Sequence, residues 1–245
     1  QAILNDNVEL ELIFGETFNK NPLDKNKFKN LLEKDKKHYF PLKEENSLDI
    51  RTQYKQGSEF KISNVRATIT GIENIKKYCK NESLSEIDDV EYIQKNYFKD
   101  PNEKFKYFPL KEENYNVRLN LKNEIDLEKT NHKVVSMLRY YNDKKKHFRY
   151  KKRFSFLTDD NLFRIDLSVV KSSQQVKGKY NLYNTFRGSN VLNNPEEYEL
   201  EIEYVGNKEN IKEINDKPIQ KLFKSLKENK DSTKSGITNS GNMYD

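Results

Sequence analysis

The feature that most constrains this chain is a two-residue alternation of charged and apolar side chains, which recurs from one end to the other. VELELIF at Val8–Phe14 puts Glu9 and Glu11 on one side of an extended chain and Leu10 and Leu12 on the other. The same rhythm returns at Ser47–Tyr54, Glu59–Thr70, Asn116–Glu124, His147–Leu157, Leu162–Lys171, Val176–Phe186 and Tyr198–Val205. Each run reads as a β-strand, and Asp159-Asp160-Asn161, Ser172-Ser173 and Asn193-Asn194-Pro195 read as turns between them. Helical spacing follows Pro22, where Phe28, Leu31 and Leu32 share a face, and recurs at Ile72–Lys80 and Ser85–Lys95. Thr130 is a candidate cap for a further helix with Val134, Val135, Leu138 and Tyr141 on its apolar face. At least eight mostly antiparallel strands with a few helices predict a mainly β (α+β) domain, a closed or nearly closed barrel.

One all-β barrel commonly fills a length of 245 residues. Only 34% of them are apolar and 34% are charged, so a core depends on the apolar residues gathering in those runs. A net charge of +6 suits a polyanionic partner such as RNA, although 39 acidic residues accompany the basic ones. The single cysteine, Cys79, excludes an internal disulfide framework and a cysteine zinc site. His38, His132 and His147 are too scattered in sequence to suggest a histidine metal cluster or a Ser-His-Asp triad. No apolar stretch approaches membrane-spanning length and no signal-peptide pattern opens the chain, so an intracellular protein with no membrane partner is expected. A helix is predicted from Pro218 to about Glu228, beyond which the sequence is polar and rich in Ser, Gly and Asn. Residues 1–228 therefore read as the folded domain and 229–245 as a tail or interdomain linker. YFPLKEEN occurs at Tyr39–Asn46 and Tyr107–Asn114, each copy leading into a predicted strand, and reads as a local duplication without chemistry of its own.

Two strands are acidic. Glu9 and Glu11 share a face, as do Glu199, Glu201 and Glu203, with Leu200 and Ile202 opposite. Glutamate is depleted in strands and like charges side by side repel, so something should offset the repulsion. A hard divalent cation does so through carboxylate oxygens; a solvated face on an ordinary amphipathic strand is the plainer alternative. Other strands are basic. FRYKKRFSF sets Arg149, Lys151 and Arg153 against Tyr150, Lys152 and Phe154, and FRIDLSVVK aligns Arg164, Asp166 and Ser168. Arg118, Asn120, Lys122 and Glu124 share a face in NVRLNLKNE, as do Arg66, Thr68 and Thr70 in NVRATITG. An apolar interior would send these charges to solvent; a polar lumen would pack the apolar faces outward against helices. The pattern leaves both open, and the second would bind a metal–triphosphate complex through forked Arg donors and Lys point charges. The aromatic residues alternate with charges as strand packing does and form no evident base-stacking platform.

In this order VELELIF, FRYKKRFSF, FRIDLSVVK and YELEIEY resemble the triphosphate tunnel metalloenzymes, specifically the RNA triphosphatases of fungi and large DNA viruses. The resemblance runs from Glu9 to Glu203 and implies a closed antiparallel eight-stranded β-barrel, the triphosphate tunnel, with helices packed outside. It implies that Glu9, Glu11 and Glu203 hold Mg²⁺ or Mn²⁺ and that Glu199 and Glu201 serve the attacking water. Arg149, Lys151, Arg153 and Arg164 match the phosphate-binding wall, Arg118, Arg66 and Lys122 are candidates for earlier phosphate contacts, and Asp166 would support its basic neighbours. The implied activity is hydrolysis of the γ-phosphate of 5′-triphosphate RNA to a diphosphate end, the first step of mRNA capping. A Lys/Asn-rich composition, typical of AT-rich genomes, fits a giant-virus capping enzyme with linked guanylyltransferase and methyltransferase domains, at work in a cytoplasmic viral factory or virion. Many relatives carry ExExK in the first strand, whereas this chain has Ile13, which argues against the branch acting on thiamine triphosphate, adenylate or inorganic triphosphate. Two rival readings are a tunnel enzyme processing inorganic polyphosphate and a non-catalytic RNA-binding barrel; the latter has no need of five glutamates on two strands.

Overall fold

The structure, a computed structural model, describes residues 8–14, 23–97, 108–112, 115–176 and 179–206, all in one compact unit of the chain. The helix expected at Pro218–Glu228 and the tail after it lie outside the described residues. The elements are β1 Val8–Phe14, α1 Lys25–His38, β2 Phe40–Gln56, β3 Glu59–Ile62, β4 Val65–Thr70, α2 Ile72–Asn81, β5 Val90–Tyr97, β6 Phe108–Glu112 and β7 Tyr115–Asp126. They continue with α3 His132–Leu138, β8 Lys146–Leu157, β9 Phe163–Ser172, β10 Gln175–Val176, β11 Lys179–Tyr180, α4 Phe186–Ser189 and β12 Glu197–Tyr204.

Eight strands pair antiparallel in the order β1-β12-β9-β8-β2-β4-β5-β7, and β7 returns to β1 to close the ring. β3 extends β2, and β6 adds to β7, outside that ring. The chain is thus mainly β, a closed eight-stranded antiparallel barrel whose ring has no unpaired edge. Among the described residues, no helix is long and apolar enough to cross a membrane.

The apolar core lies outside the ring. Leu48, Ile50, Val65, Ala67, Ile69 and Phe148 turn away from the lumen and pack with Ile75 and Tyr78 of α2, Val134 and Met137 of α3, and Phe186 of α4. Each fully buried aliphatic or Phe side chain contributes about 1.5–3 kcal/mol, so these helices hold the barrel from without. Within that core the hydroxyls of Tyr78 and Tyr141 bond each other at 2.8 Å, as buried hydroxyls require. On another flank α1 sets Phe28 against Tyr198 with ring centroids 5.0 Å apart. The Asp24 carboxylate starts that helix by accepting from the backbone N–H groups of Asn26 and Lys27. Of the two arrangements open to the sequence, the chain adopts the one with apolar faces out and charged faces in.

Several elements depart from expectation. Ser85–Lys95 reads as a helix, but only a 3-10 turn forms at Leu84–Glu86, and β5 follows. Closing the ring requires a strand between β4 and β7, and Tyr92 and Gln94 are buried on one side of it. Glu59–Thr70 is two strands, because the chain turns at Ser63-Asn64, where the Ser63 hydroxyl accepts from the Val65 N–H at 3.0 Å. Val176–Phe186 yields the short β10–β11 pair and then α4, since Thr185 caps a helix with its hydroxyl instead of extending a strand. Asn131, not Thr130, caps α3, and Met137 takes the buried place expected of Val135, which is 43% exposed. Both YFPLKEEN copies are strands in their own right. Phe40–Asn46 is the first half of β2, with a bulge between Pro41 and Lys43, and Phe108–Glu112 is β6; Tyr107, Glu113 and Asn114 lie outside the described residues.

Candidate active site

Register decides which charges meet. Around the lumen Glu11 stands opposite Glu203, Glu201 opposite Asp166, Asp166 opposite Ser155, and Arg149 opposite Asp49. Continuing, Asp49 faces Thr68, Lys95 faces Glu124, and Lys122 faces Glu9. Alternation along each strand thereby becomes a continuous polar lining.

Three carboxylates converge. One oxygen from each of Glu9, Glu11 and Glu124 lies within 4.8 Å of the others. Lys122 pairs with Glu11, and Lys95 pairs with Glu124. Glu203 faces Glu11 from the neighbouring strand and pairs with Arg164. Burial raises the pKa of Glu11, with Lys122 opposing. Burial also pushes the Glu203 carboxyl up to about 7, Arg164 opposing while Glu9, Glu11 and Asp166 add their repulsion. An all-oxygen donor set under this like-charge crowding fits a hard cation such as Mg²⁺ or Mn²⁺.

Facing these acids is the basic wall. Arg149 pairs with Glu199 and lies 3.5 Å from Asp49. Arg153 reaches Asp166 at 3.4 Å and Glu201 at 3.8 Å. Asp166 also accepts from Arg164 Nε at 3.1 Å and from the Ser155 hydroxyl at 2.6 Å. Burial draws the Lys151 ammonium down to about 8; Asp49 opposes this, while Arg153, Arg149 and Arg66 add to it. Burial alone would raise Glu201, but Lys122, Arg153, Arg149 and Lys151 outweigh it and hold that carboxyl at about 2. Arg66 Nε stands 3.7 Å from Asp49. Arg118 occupies the β7 position opposite Ile13, and its side chain lies outside the described residues. Ile13 itself is buried, opposite Glu201 on the other side. Lys152 is on the outer surface of the barrel, bonded to Glu44 at 2.7 Å.

Sequence reasoning assigned no role to three further lumen residues. Asp49 is buried among Lys151, Arg66 and Arg149, which hold its carboxyl far below the usual range despite its burial, and it accepts from the Thr68 hydroxyl at 2.9 Å. Its signal was present, because Asp49 alternates with Leu48 and Ile50. Lys95, lowered to about 7 by burial and by Arg66 and Lys122, was hidden inside the expected helix. Glu124 shares the face of Lys122, but only the β1–β7 pairing brings it to Glu9 and Glu11. Together the residues can hold a divalent cation at one station and a multiply charged anion beside it.

No protein-family model matches the sequence, and no curated protein matches it. Among solved structures, the mimivirus capping enzyme triphosphatase is similar, with a TM-score of 0.58 at 19% identity over 93% of each chain. The RNA triphosphatase domain of a trifunctional mimivirus mRNA capping enzyme gives 0.57 at 21% identity, over 93% of this chain and 92% of that one. An S. pombe RNA triphosphatase aligns more loosely, with a TM-score of 0.48 at 13% identity over 94% and 84% of the two chains. The backbone path and the closed, charge-lined barrel together show that this chain has the triphosphate-tunnel fold found in the mimivirus capping enzyme triphosphatase.

Proposed function

We propose that this chain is a divalent-metal-dependent RNA 5′-triphosphatase, which removes the γ-phosphate of 5′-triphosphate RNA and leaves a diphosphate end for capping. The observation that carries the reading is one lumen in which Glu9, Glu11 and Glu124 converge beside the wall of Arg149, Lys151, Arg153 and Arg164. A non-catalytic binding barrel has no use for carboxylates beside a polyanion. The fold likeness to the mimivirus capping enzyme triphosphatase supports the same reading. Ile13, in place of a lysine, favours RNA over inorganic triphosphate or polyphosphate. Guanylyltransferase and methyltransferase domains on a longer capping protein, and a viral setting, belong to this reading too.

Mg²⁺ or Mn²⁺, held by Glu9, Glu11 and Glu124 with Glu203 beside them, would supply charge neutralisation at the γ-phosphate. Arg149, Lys151, Arg153 and Arg164 align the phosphates and stabilise the charge that grows on the leaving diphosphate, and Arg66 and Lys122 extend that wall. Asp49 and Asp166 fix those cations in advance, so little reorganisation accompanies reaction. Glu201, ionised throughout the neutral range, accepts a hydrogen bond from the attacking water, and Glu199 stands beside it on the same face. Glu201 orients that water, and its proton passes to an oxygen of the transferred phosphoryl group, late in a loose transition state. The products are diphosphate-ended RNA and inorganic phosphate, with no covalent enzyme intermediate.

The test is phosphate release from 5′-triphosphate RNA with Mg²⁺ or Mn²⁺. Chelation should abolish it, and Glu11→Ala should lower kcat on the order of a hundredfold or more while the barrel stays folded by circular dichroism. Undiminished release in excess chelator would refute the reading.

A further inference from the structure

The two mouths of the barrel differ in how their cations are paired, and at one of them a hairpin continues beyond the ring. Arg51 stands opposite His147 in the β2–β8 ladder, one step past the Asp49–Arg149 pair. Among the described residues Arg51 has no hydrogen bond or ion pair, whereas Arg66 and Arg149 beside it are engaged by Asp49. The ring of Tyr180, on β11, packs edge-on against His147 with centroids 4.3 Å apart, and it is 42% exposed. From Arg51 β2 runs on into a hairpin with β3, turning through a two-residue loop in which Gly57 adopts φ 62°. Lys55 and Phe60 are paired across that hairpin on the side that Arg51 occupies, and Phe60 is 64% exposed. The span from Arg51 to Lys55 is about 13 Å at roughly 3.3 Å per residue. At the other end of the ring, β7 finishes in Glu124 and Asp126, while Glu9 and Glu203 occupy the ends of β1 and β12 on that side. The cations at that end, Lys122, Lys95 and Arg164, are paired with Glu11, Glu124 and Glu203. Aromatic residues that look scattered in sequence are thus gathered at a single mouth, beside Arg51.

We propose that the single-stranded RNA behind the triphosphate leaves through this basic mouth, with Arg51 on a backbone phosphate, Tyr180 under a base, and Lys55 and Phe60 of the β2–β3 hairpin contacting the nucleotides beyond. This rests on the triphosphatase reading for the placement of the 5′ end. It follows from the polarity of the lumen: with the γ-phosphate at the carboxylate cluster, the nucleoside end points toward the cationic side. Stacking on an exposed aromatic tolerates any base, and Lys and Arg read only the backbone, so this path is indifferent to sequence and absent for a free triphosphate.

The test compares Phe60→Ala, Lys55→Glu and Tyr180→Ala with the wild type on two substrates, a short 5′-triphosphate RNA and inorganic tripolyphosphate. Each variant should raise KM for the RNA on the order of tenfold, with kcat and tripolyphosphate hydrolysis unchanged. An unchanged RNA KM in all three, or equal losses on both substrates, overturns the proposal. Fluorescence anisotropy with a 3′-labelled 5′-hydroxyl RNA examines the path without turnover. Weaker binding by the variants supports it, and equal binding overturns it. A wild-type protein that shows this pattern of binding yet releases no phosphate from any triphosphate refutes the enzymatic reading while leaving the RNA path supported.

Discussion

Lys151 and Lys152 are neighbours in sequence and separated by the wall of the barrel. Lys151 is buried in the lumen 3.9 Å from Asp49, and Lys152 is outside against Glu44. Their replacements should therefore differ although the chemistry removed is identical. Lys151→Ala should lower kcat/KM by about tenfold to a hundredfold, the loss of one charged contact to a phosphate. Lys152→Ala should stay within about twofold, because an exposed ion pair contributes little. Steady-state kinetics on 5′-triphosphate RNA decides it, and equal effects would contradict the facing of β8. That facing was readable in FRYKKRFSF because a strand has a period of two. The meeting of Glu124 with Glu9 and Glu11 was not readable, since it depends on a register between segments more than a hundred residues apart.

At the scale of single elements, α1 carries an unusual burial. Asp35 lies on the buried side of the helix with Phe28 and Leu31, and among the described residues one of its carboxylate oxygens is buried without a hydrogen-bond partner. Burial pushes its pKa from 3.8 up to about 7, with Lys34 and His38 opposing. Between those values the unfolded chain has released the proton and the folded chain retains it, so folding loses stability as pH rises from about 4 to about 7 and stays at the lower level above that. Asp35→Asn should accordingly raise the denaturation midpoint at pH 8 and leave it nearly unchanged at pH 4, as measured by urea titration. A variant less stable than the parent at pH 8 would contradict the unpaired burial of this carboxylate. The elements also show where local pattern reading ends. Alternation found the strands of the ring with strong charge contrast, such as β1, β8, β9 and β12. It missed β5, where Glu91, Lys95 and the intervening residues also satisfy a helical spacing and only the need to bridge β4 and β7 selects the strand. It overextended at Val176–Phe186, where Asn181, Asn184 and Thr185 supply turn and cap chemistry.

For the molecule as a whole, the apolar core outside the ring carries the stability and the lumen opposes it. Buried charges pay a desolvation penalty that their mutual pairing only partly returns, and the crowded glutamates add repulsion. A ligand that binds the folded barrel alone should therefore stabilise it measurably. At a hundred times its Kd, Mn²⁺ should contribute about 2.7 kcal/mol, seen as a rise of several degrees in the unfolding midpoint. The Glu9→Ala/Glu11→Ala double variant should show no such rise. An equal shift in parent and double variant would place the cation elsewhere.

The closure of the ring by β7 against β1 bears on how such a chain can change over time. Seven consecutive residue pairs join those strands, from Val8 with Asn123 to Phe14 with Val117. Inserting or deleting one residue within β1 would exchange the roles of its two faces, turning Leu10 and Leu12 inward and the glutamates out. An open sheet can absorb such a slip at its margin, but a ring has no margin. Length variation among descendants should then gather in connections such as the β2–β3 turn and the segments between wall strands, while the wall strands vary by substitution alone. The outward apolar positions need only keep size and character, so they are free to drift. Lineages of this barrel can diverge in most of their letters and still count residues identically along each wall.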